Sequence, residues 1–424
     1  MGRILSKEQK EEFKDILETL GESLDITQTQ YDNLTRSYKA VGEFLQNDPV
    51  FEPYKPIVSP QGSLRLGTII QPINPNDDLD VDLVYRLSEK NPMWTQKDIK
   101  DKMGARLKGS DRYASMIDKK EGRRCWTLLY RDNSDNPKEK YHMDILPSVA
   151  DSKYAERMTR LFSQSYSAHT VDQISIRITD KEAKDYTTST CKEDWLKSNP
   201  DGYALWFANR CKADETVKLM AEAVVPIEKY NKKKTVLQRI VQILKRHRDM
   251  MFYNDTEDKP ISIIITTLAA HAYNGEQSLL DGLVNVVDNL EKGITKNERG
   301  EEVVSNPVNS EENFADKWPT HPKRRENFYK WLAAVKKDVH EILDEANRIQ
   351  IHTIMGRVFG KDMIEKASSL LVERRKSKLA TGAVLLTSAG KVAAGTVGKV
   401  INTANTFYGE YNDNIDPTVL HFEA

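Results

Sequence analysis

PQGSLRLGTIIQPINPNDDLDVDLVYRL, residues 60 to 87, is the stretch on which the fold turns. Its second half alternates without a break. Leu79, Val81, Leu83, Tyr85 and Leu87 fall on one side of an extended strand, and Asp78, Asp80 and Asp82 on the other. The apolar side is suited to burial. The acidic side needs its own explanation, because Asp is disfavoured in strands and same-face neighbours stand only about 6.5–7 Å apart. No basic residue is interleaved before Arg86. A divalent cation relieves such repulsion, since hard cations take carboxylate oxygens together with substrate phosphates. The plain alternative is an amphipathic strand whose acidic face is simply solvated.

Upstream, Gly62-Ser63 breaks the chain after the extended-looking Lys55 to Pro60 and implies a turn into a short helix near Leu64. A helix start offers free backbone N–H groups and the positive end of the dipole, and Ser63 adds a hydroxyl, so the turn suits a phosphate. Gly-Ser alone is what any turn looks like. Gly-Ser followed after 16 residues by Asp-Val-Asp on a strand carries much more information.

That pairing resembles the signature of the polymerase-β-like nucleotidyltransferases, in which the Gly-Ser turn holds a triphosphate and two strand carboxylates bind metals. The resemblance implies a third carboxylate on a neighbouring strand. KYHMDILP, residues 140 to 147, supplies one: Tyr141, Met143 and Ile145 alternate with His142 and Asp144, so Asp144 leaves the apolar face as Asp80 and Asp82 do. Residues 125 to 130 and the polar turn around 132 to 137 are expected to form a hairpin with it. Carboxylates converging on two metals about 3.5–4 Å apart suit phosphoryl transfer, with one metal activating a hydroxyl and the other steadying pyrophosphate. The implied cofactor is a pair of Mg²⁺ ions, with Mn²⁺ as a substitute.

Composition sets outer limits. The chain has 424 residues, enough for two or three domains, and its 63 Lys plus Arg against 64 Asp plus Glu leave a net charge of −1. No global polyanion-binding signal follows from that balance. Cys125, Cys191 and Cys211 lack metal-ligand spacing, which argues against a disulfide framework or a zinc ribbon. No signal-peptide core and no run of 18 apolar residues is present, and a soluble cytoplasmic protein without membrane contact is expected.

Taken in order, Leu5-Ser6 with Gln9 reads as a staple and capping box, and Phe13, Ile16, Leu17, Leu20 and Leu24 continue at helical spacing. A second helix carries Tyr31, Leu34, Tyr38, Val41 and Leu45. Residues 91 to 123 are polar and helical in tendency, residues 173 to 178 form a strand candidate, and residues 198 to 210 have turn chemistry followed by aromatics. Residues 235 to 252 place Val236, Ile240, Ile243, Leu244 and Met251 on one helical face, with Arg239, Lys245, Arg246 and Arg248 elsewhere. The ordinary reading of those charges is a solvated surface. From Pro260 the chain is apolar all round, a buried helix with Ser262 in its first turn. Residues 275 to 305 read as polar loop, and Phe328 to Leu343 as a long amphipathic helix.

These later helices bring the resemblance closer, to cyclic GMP-AMP synthase and its bacterial relatives, the CD-NTases, in which a lysine and a serine on consecutive helices reach the triphosphate. Lys245 in ILKRHRD and Ser262 in KPISIII are similar in position, and NPVNSEENFADKW, residues 306 to 318, resembles a segment of the bacterial helical lobe. The resemblance implies an α+β fold: a mixed-sheet palm with flanking helices, a helical C-terminal lobe, and the active site in the cleft between. The expected divisions are N-terminal helices at 1–50, palm at 51–190, helical lobe at 191–375 and a small-residue-rich tail at 376–424. It further implies catalytic and metal-binding roles for Asp80, Asp82 and Asp144, and nucleotide contacts from Gln61, Gly62, Ser63, Lys245 and Ser262. The implied substrates are ATP, GTP or other triphosphates, and the implied product is a cyclic di- or trinucleotide of bacterial anti-phage (CBASS) signalling. Accessory proteins of that system are implied partners, with the tail ending in HFEA as a conjugation site. The Cys/His cluster with which animal members bind double-stranded DNA is missing, so DNA activation of that kind is not expected. Two alternatives stand beside this: a template-independent transferase acting on RNA ends or a protein hydroxyl, and a catalytically silent nucleotide-binding homologue.

Overall fold

The computed structural model describes residues 7–73, 79–131, 134, 140–151, 175–211, 225, 227, 230–231, 233–345, 348–380, 384–386 and 392–394. They group into two compact units, one from Leu24 to His340, the other formed by residues up to Ser23 with those from Glu341 onward.

The first unit is built on a mixed sheet. Strands β1 (Ile57–Gln61), β2 (Leu79–Leu87), β3 (Trp126–Tyr130), β4 (Tyr141–Ala150), β5 (Ile176–Ile178) and β6 (Leu196–Ser198) run in the order β1-β2-β4-β5-β6, with β3 also on β4. β2 and β4 are parallel and every other pairing in this sheet is antiparallel. β3 takes the first half of β4 and β5 its last three residues, so the two share one edge.

The apolar residues of β2 enter one core with Met143, Ile145 and Val149 of β4 and with Leu34, Tyr38, Val41 and Leu45 of α2 (Gln28–Gln46), all of them buried. Fully burying one such side chain stabilises by roughly 1.5–3 kcal/mol. Together they fix the register, because a slip of one residue would turn the carboxylates into that core. Helix α2 begins at Thr27, whose side chain and that of Gln30 cap each other's backbone N–H. The Tyr85 hydroxyl donates to Leu45 O at 3.2 Å and that of Tyr38 to Val58 O at 3.1 Å, so buried phenols also tie the helix to the sheet. Val84, Leu146, Ile176, Ile178 and Leu205 cover the opposite face.

The remaining helices of this unit follow. α3 (Gly62–Arg65) leaves β1 directly, and α4 (Gln96–Lys108) lies in the connection from β2 to β3. α5 (Pro200–Arg210) occupies the stretch in which turn chemistry was expected: the Asn199 side chain caps it by accepting from Gly202 N, with Pro200 in the first turn. α6 (Val236–Met251) opens on a capping box of Thr235 and Gln238. On it Arg239, Lys245, Arg246 and Arg248 are buried rather than solvated, while Met251 is exposed. α7 (Ser262–Ala272) is the buried apolar helix expected after Pro260. α8 (Leu279–Asn289) lies where polar loop was expected; Leu279, Leu280, Leu283, Val286 and Val287 sit at helical spacing and are buried, and that period outweighs the intervening Asp, Gly and Asn. Short pairs β7 (Thr295–Lys296) with β8 (Glu302–Val303) and β9 (Ser305–Asn306) with β10 (Asn309–Asn313) lead to α9 (Pro322–Asp344), whose Phe328, Trp331, Val335 and Val339 are buried.

In the second unit α1 (Lys7–Ser23) packs along α11 (Lys361–Ala380), joined by Arg375 to Asp15 at 3.4 Å and by Arg374 to Glu22, with α10 (Arg348–Phe359) alongside α11. The expected N-terminal division at 1–50 is thereby split, since α1 belongs with the C-terminal helices and α2 with the sheet. Beyond residue 380 the described residues form β11 (Val384–Leu386) paired with β12 (Val392–Ala394). The first capping box, Asp78, most of the 132–137 turn and the HFEA terminus lie outside the described residues.

Candidate active site

The sheet register assembles the site. Gln61 of β1 stands opposite Asp82 of β2, Asp82 opposite Asp144 of β4, and Asp144 opposite Thr127 of β3. Four strands thus contribute to one row, and the next row sets Asp80 beside His142. Parallel pairing of β2 with β4 achieves this, because two strands read in the same direction bring Asp-Val-Asp against His-Met-Asp residue for residue.

The Gly-Ser turn closes on this row. Gly62 has φ +62°, and a Cβ placed there would stand 1.9 Å from Asp82 Oδ2, so only glycine permits both the backbone and the carboxylate. Ser63 follows, half-buried, in the first turn of α3. Its carbonyl accepts from Thr68 N at 2.9 Å, which folds the chain after α3 back upon the turn.

The electrostatics are those of a charge cluster short of cations. Burial pushes Asp82 up to about 8, and the negative charges of Asp80 and Asp144 add to the effect; His142 and Lys245 oppose it. Asp144 is also raised, by burial first, against the hydrogen bond it accepts from the Thr127 hydroxyl. His142 Nε2 lies 3.2 Å from Asp80 Oδ1. One ligand atom each from Asp80, His142 and Asp144 lie within 4.8 Å of one another, whereas Asp82 sits deeper, against the turn. Carboxylates that disturb one another in this way, with an imidazole beside them, fit a divalent cation.

Lys245 of α6 is brought to the same cluster. Burial pushes its ammonium down to about 8, and Arg248 adds to that; Asp249, Asp80 and Asp82 hold it up. Its Nζ donates to Thr68 O at 3.0 Å. Ser262 is placed differently: its hydroxyl accepts from Arg248 Nη1 at 2.8 Å, and the same guanidinium holds Pro260 O at 3.0 Å and pairs with Asp249. The structure therefore gathers Gln61, Gly62, Ser63, Asp80, Asp82, Asp144 and Lys245, and connects Ser262 to them through Arg248. Sequence reading passed over His142, Thr127 and Arg248. The alternation of residues 141 to 145 already put His142 on the face of Asp144, and that signal was available.

Comparison with known proteins gives the same direction. Residues 11–177 match the Second Messenger Oligonucleotide or Dinucleotide Synthetase domain. The chain is 28% identical over 415 residues to a c-di-GMP synthase of Roseivirga ehrenbergii, covering 96% of this chain and 100% of that one. It shares its fold with the CD-NTase CdnG of Bradyrhizobium diazoefficiens, solved in complex with GTP, at 17% identity and a TM-score of 0.59 over 85% of this chain and 99% of that one. CdnC of E. coli MS115-1, solved with ATP, is 13% identical with a TM-score of 0.53, over 82% of this chain and 97% of that one. At such identities the structural likeness speaks for the fold, which is the polymerase-β-like nucleotidyltransferase fold. Synthetase domain, end-to-end relative and common fold agree: the chain carries a match to the synthetase domain over residues 11–177, is similar from end to end to a c-di-GMP synthase, and shares the fold of solved CD-NTases.

Proposed function

We propose that this chain condenses nucleoside triphosphates into a cyclic di- or trinucleotide, releasing pyrophosphate, as the signal-producing enzyme of a bacterial anti-phage system. The observation that carries the reading is the single row of Gln61, Asp82, Asp144 and Thr127 across β1, β2, β4 and β3, with the Gly62-Ser63 turn closing on Asp82.

In this reading the Gly62-Ser63 turn and Lys245 hold the triphosphate from two sides, Lys245 exchanging the Thr68 carbonyl for phosphate oxygens. Asp80, Asp82 and Asp144 are the carboxylates toward the cation, and His142 contributes from the Asp80 row. A bound divalent cation supplies activation of the acceptor hydroxyl and neutralisation of the leaving pyrophosphate, with Mg²⁺ the expected ion and Mn²⁺ a substitute. Asp144, steadied by the Thr127 hydroxyl, orients the acceptor hydroxyl for attack on the α-phosphate of the donor. Ser262 and Arg248 form the outer wall of the phosphate site. No covalent nucleophile is needed.

GTP is the substrate to test first, because the relative alike from end to end is a c-di-GMP synthase and CdnG was solved with GTP; ATP is second, as in CdnC. The work of such an enzyme belongs in the cytoplasm with its triphosphates, and no described helix is long and apolar enough to cross a membrane. The test is mass spectrometry of products from the four triphosphates with Mg²⁺. Phosphatase-resistant cyclic products are expected; a lengthened RNA primer, or no product in any mixture, would overturn the reading.

A further inference from the structure

Helix α6 lies along the segment that follows the Gly-Ser turn and grips its backbone. Gln238, Gln242, Lys245 and Arg246 sit at i, i+4, i+7 and i+8, one stripe of the helix. Gln238 Nε2 donates to Leu66 O at 3.0 Å and Gln242 Nε2 to Ile69 O at 2.9 Å. Lys245 Nζ donates to Thr68 O at 3.0 Å and Arg246 Nη2 to Gln71 O at 2.8 Å. Residues 68–72 have no regular secondary structure, so these side chains satisfy carbonyls that no helix or sheet ladder takes up.

Two further features mark the arrangement as more than packing. Gly67 has φ +66°, and a Cβ there would stand 2.6 Å from Gln238 Nε2, so the segment is shaped around the helix. Gln242 and Arg246 are fully buried, and Arg246 keeps its single carbonyl contact although its Nε and Nη1 are buried with no hydrogen-bond partner. Unpaired buried donors are costly, and apolar residues would stabilise this contact more simply. What the polar stripe adds is a fixed distance between the helix and one particular stretch of backbone.

We propose that Gln238, Gln242 and Arg246 are positioning residues that lock α6 to residues 66–71, so that Lys245 and the Gly62-Ser63 turn meet one triphosphate at a set separation. The proposal rests on the nucleotide-binding reading of the site. None of the three touches the carboxylate row, so triphosphate affinity depends on them and cation affinity does not.

The test is calorimetric binding of non-hydrolysable GTP and ATP analogues with Mg²⁺, beside binding of Mn²⁺ alone, to the full chain and three variants. Gln238→Glu keeps the oxygen that accepts from Thr235 N at 2.9 Å but sets an oxygen against Leu66 O. Arg246→Met removes the donor to Gln71 O, and Arg246→Lys retains one. Gln238→Glu and Arg246→Met are expected to weaken analogue binding about tenfold each, while Arg246→Lys stays within about threefold of the parent. Mn²⁺ affinity is expected to stay within about twofold throughout. Unchanged analogue binding in Gln238→Glu and Arg246→Met, or equal losses of analogue and Mn²⁺, would overturn this proposal alone. A parent chain that binds Mn²⁺ but neither analogue would overturn the nucleotide reading and this proposal with it.

Discussion

The two ends of one face of β2 handle charge in opposite ways. Asp80, Asp82, Val84 and Arg86 share that face by the two-residue period of the strand. At the far end Arg86 is buried and reaches Asp201 at 3.2 Å, and Arg65 of α3 reaches the same carboxylate at 3.4 Å; the side chains are only 6–11% exposed. At the near end three carboxylates crowd together, and the nearby ammonium of Lys245 is held by a backbone carbonyl. The far end is completed by the protein's own ions. On the proposed function the near end is completed by a cation and a polyphosphate, and the contrast then separates charge kept for structure from charge kept for chemistry.

The strongest way to break this contrast is at the near end. Asp80→Asn with Asp82→Asn is expected to lower cyclic product by about 10³-fold or more while the thermal midpoint at pH 8 holds or rises. A variant that falls apart instead would mean that those carboxylates hold the fold together. Asp201→Ala attacks the far end: it leaves the buried guanidinium of Arg86 and the half-buried one of Arg65 without this carboxylate and is expected to cost about 3–5 kcal/mol in chemical denaturation. Gly62→Ala probes the junction of turn and carboxylate, where strain at positive φ and collision with Asp82 together cost about 1–3 kcal/mol and displace the proposed triphosphate site. Its expected signature is a loss of nucleotide affinity larger than the loss of stability.

Acidity sharpens the comparison further. Asp82 is raised to about 8 from an ordinary 3.8, so between roughly pH 4 and 8 the folded, metal-free protein keeps a proton that the unfolded chain has released. Stability contributed in this way is present at low pH and is lost as pH rises through that window. Asp82→Asn should flatten this part of the profile of thermal midpoint against pH, and added Mg²⁺ should flatten it in the parent. Lys245, lowered to about 8 from 10.5, gives a slope of opposite sign, confined to the range above. Smallest of all, Thr127→Val removes the hydroxyl that steadies Asp144 and should slow turnover by a few-fold with little change in nucleotide affinity.

What could be read from the chain beforehand is what depends on near neighbours. Alternation from Leu79 to Leu87 and from Tyr141 to Ile145 decided the strands and the side on which Asp80, Asp82 and Asp144 lie, because strand period is a local property. His142 was on the right face yet acquires meaning only from its register opposite Asp80, and register is set by pairing between distant segments. Arg86 and Asp201 stand 115 positions apart, so nothing near Arg86 announced its partner. The charges of α6 read as a solvated surface because helical period says which residues share a face, not what that face meets. For the same reason the sequence alone sets α1 with α2, its neighbour in the chain, rather than with α11.

The most direct test of the central claim is a titration of the parent chain with Mn²⁺ at pH 7.5, with and without a non-hydrolysable GTP analogue, followed by the thermal midpoint. Stabilisation by Mn²⁺ that grows when the analogue is present, and vanishes in Asp80→Asn with Asp82→Asn, is the expected result. A midpoint indifferent to Mn²⁺ and analogue, or a response that survives loss of both carboxylates, would contradict it.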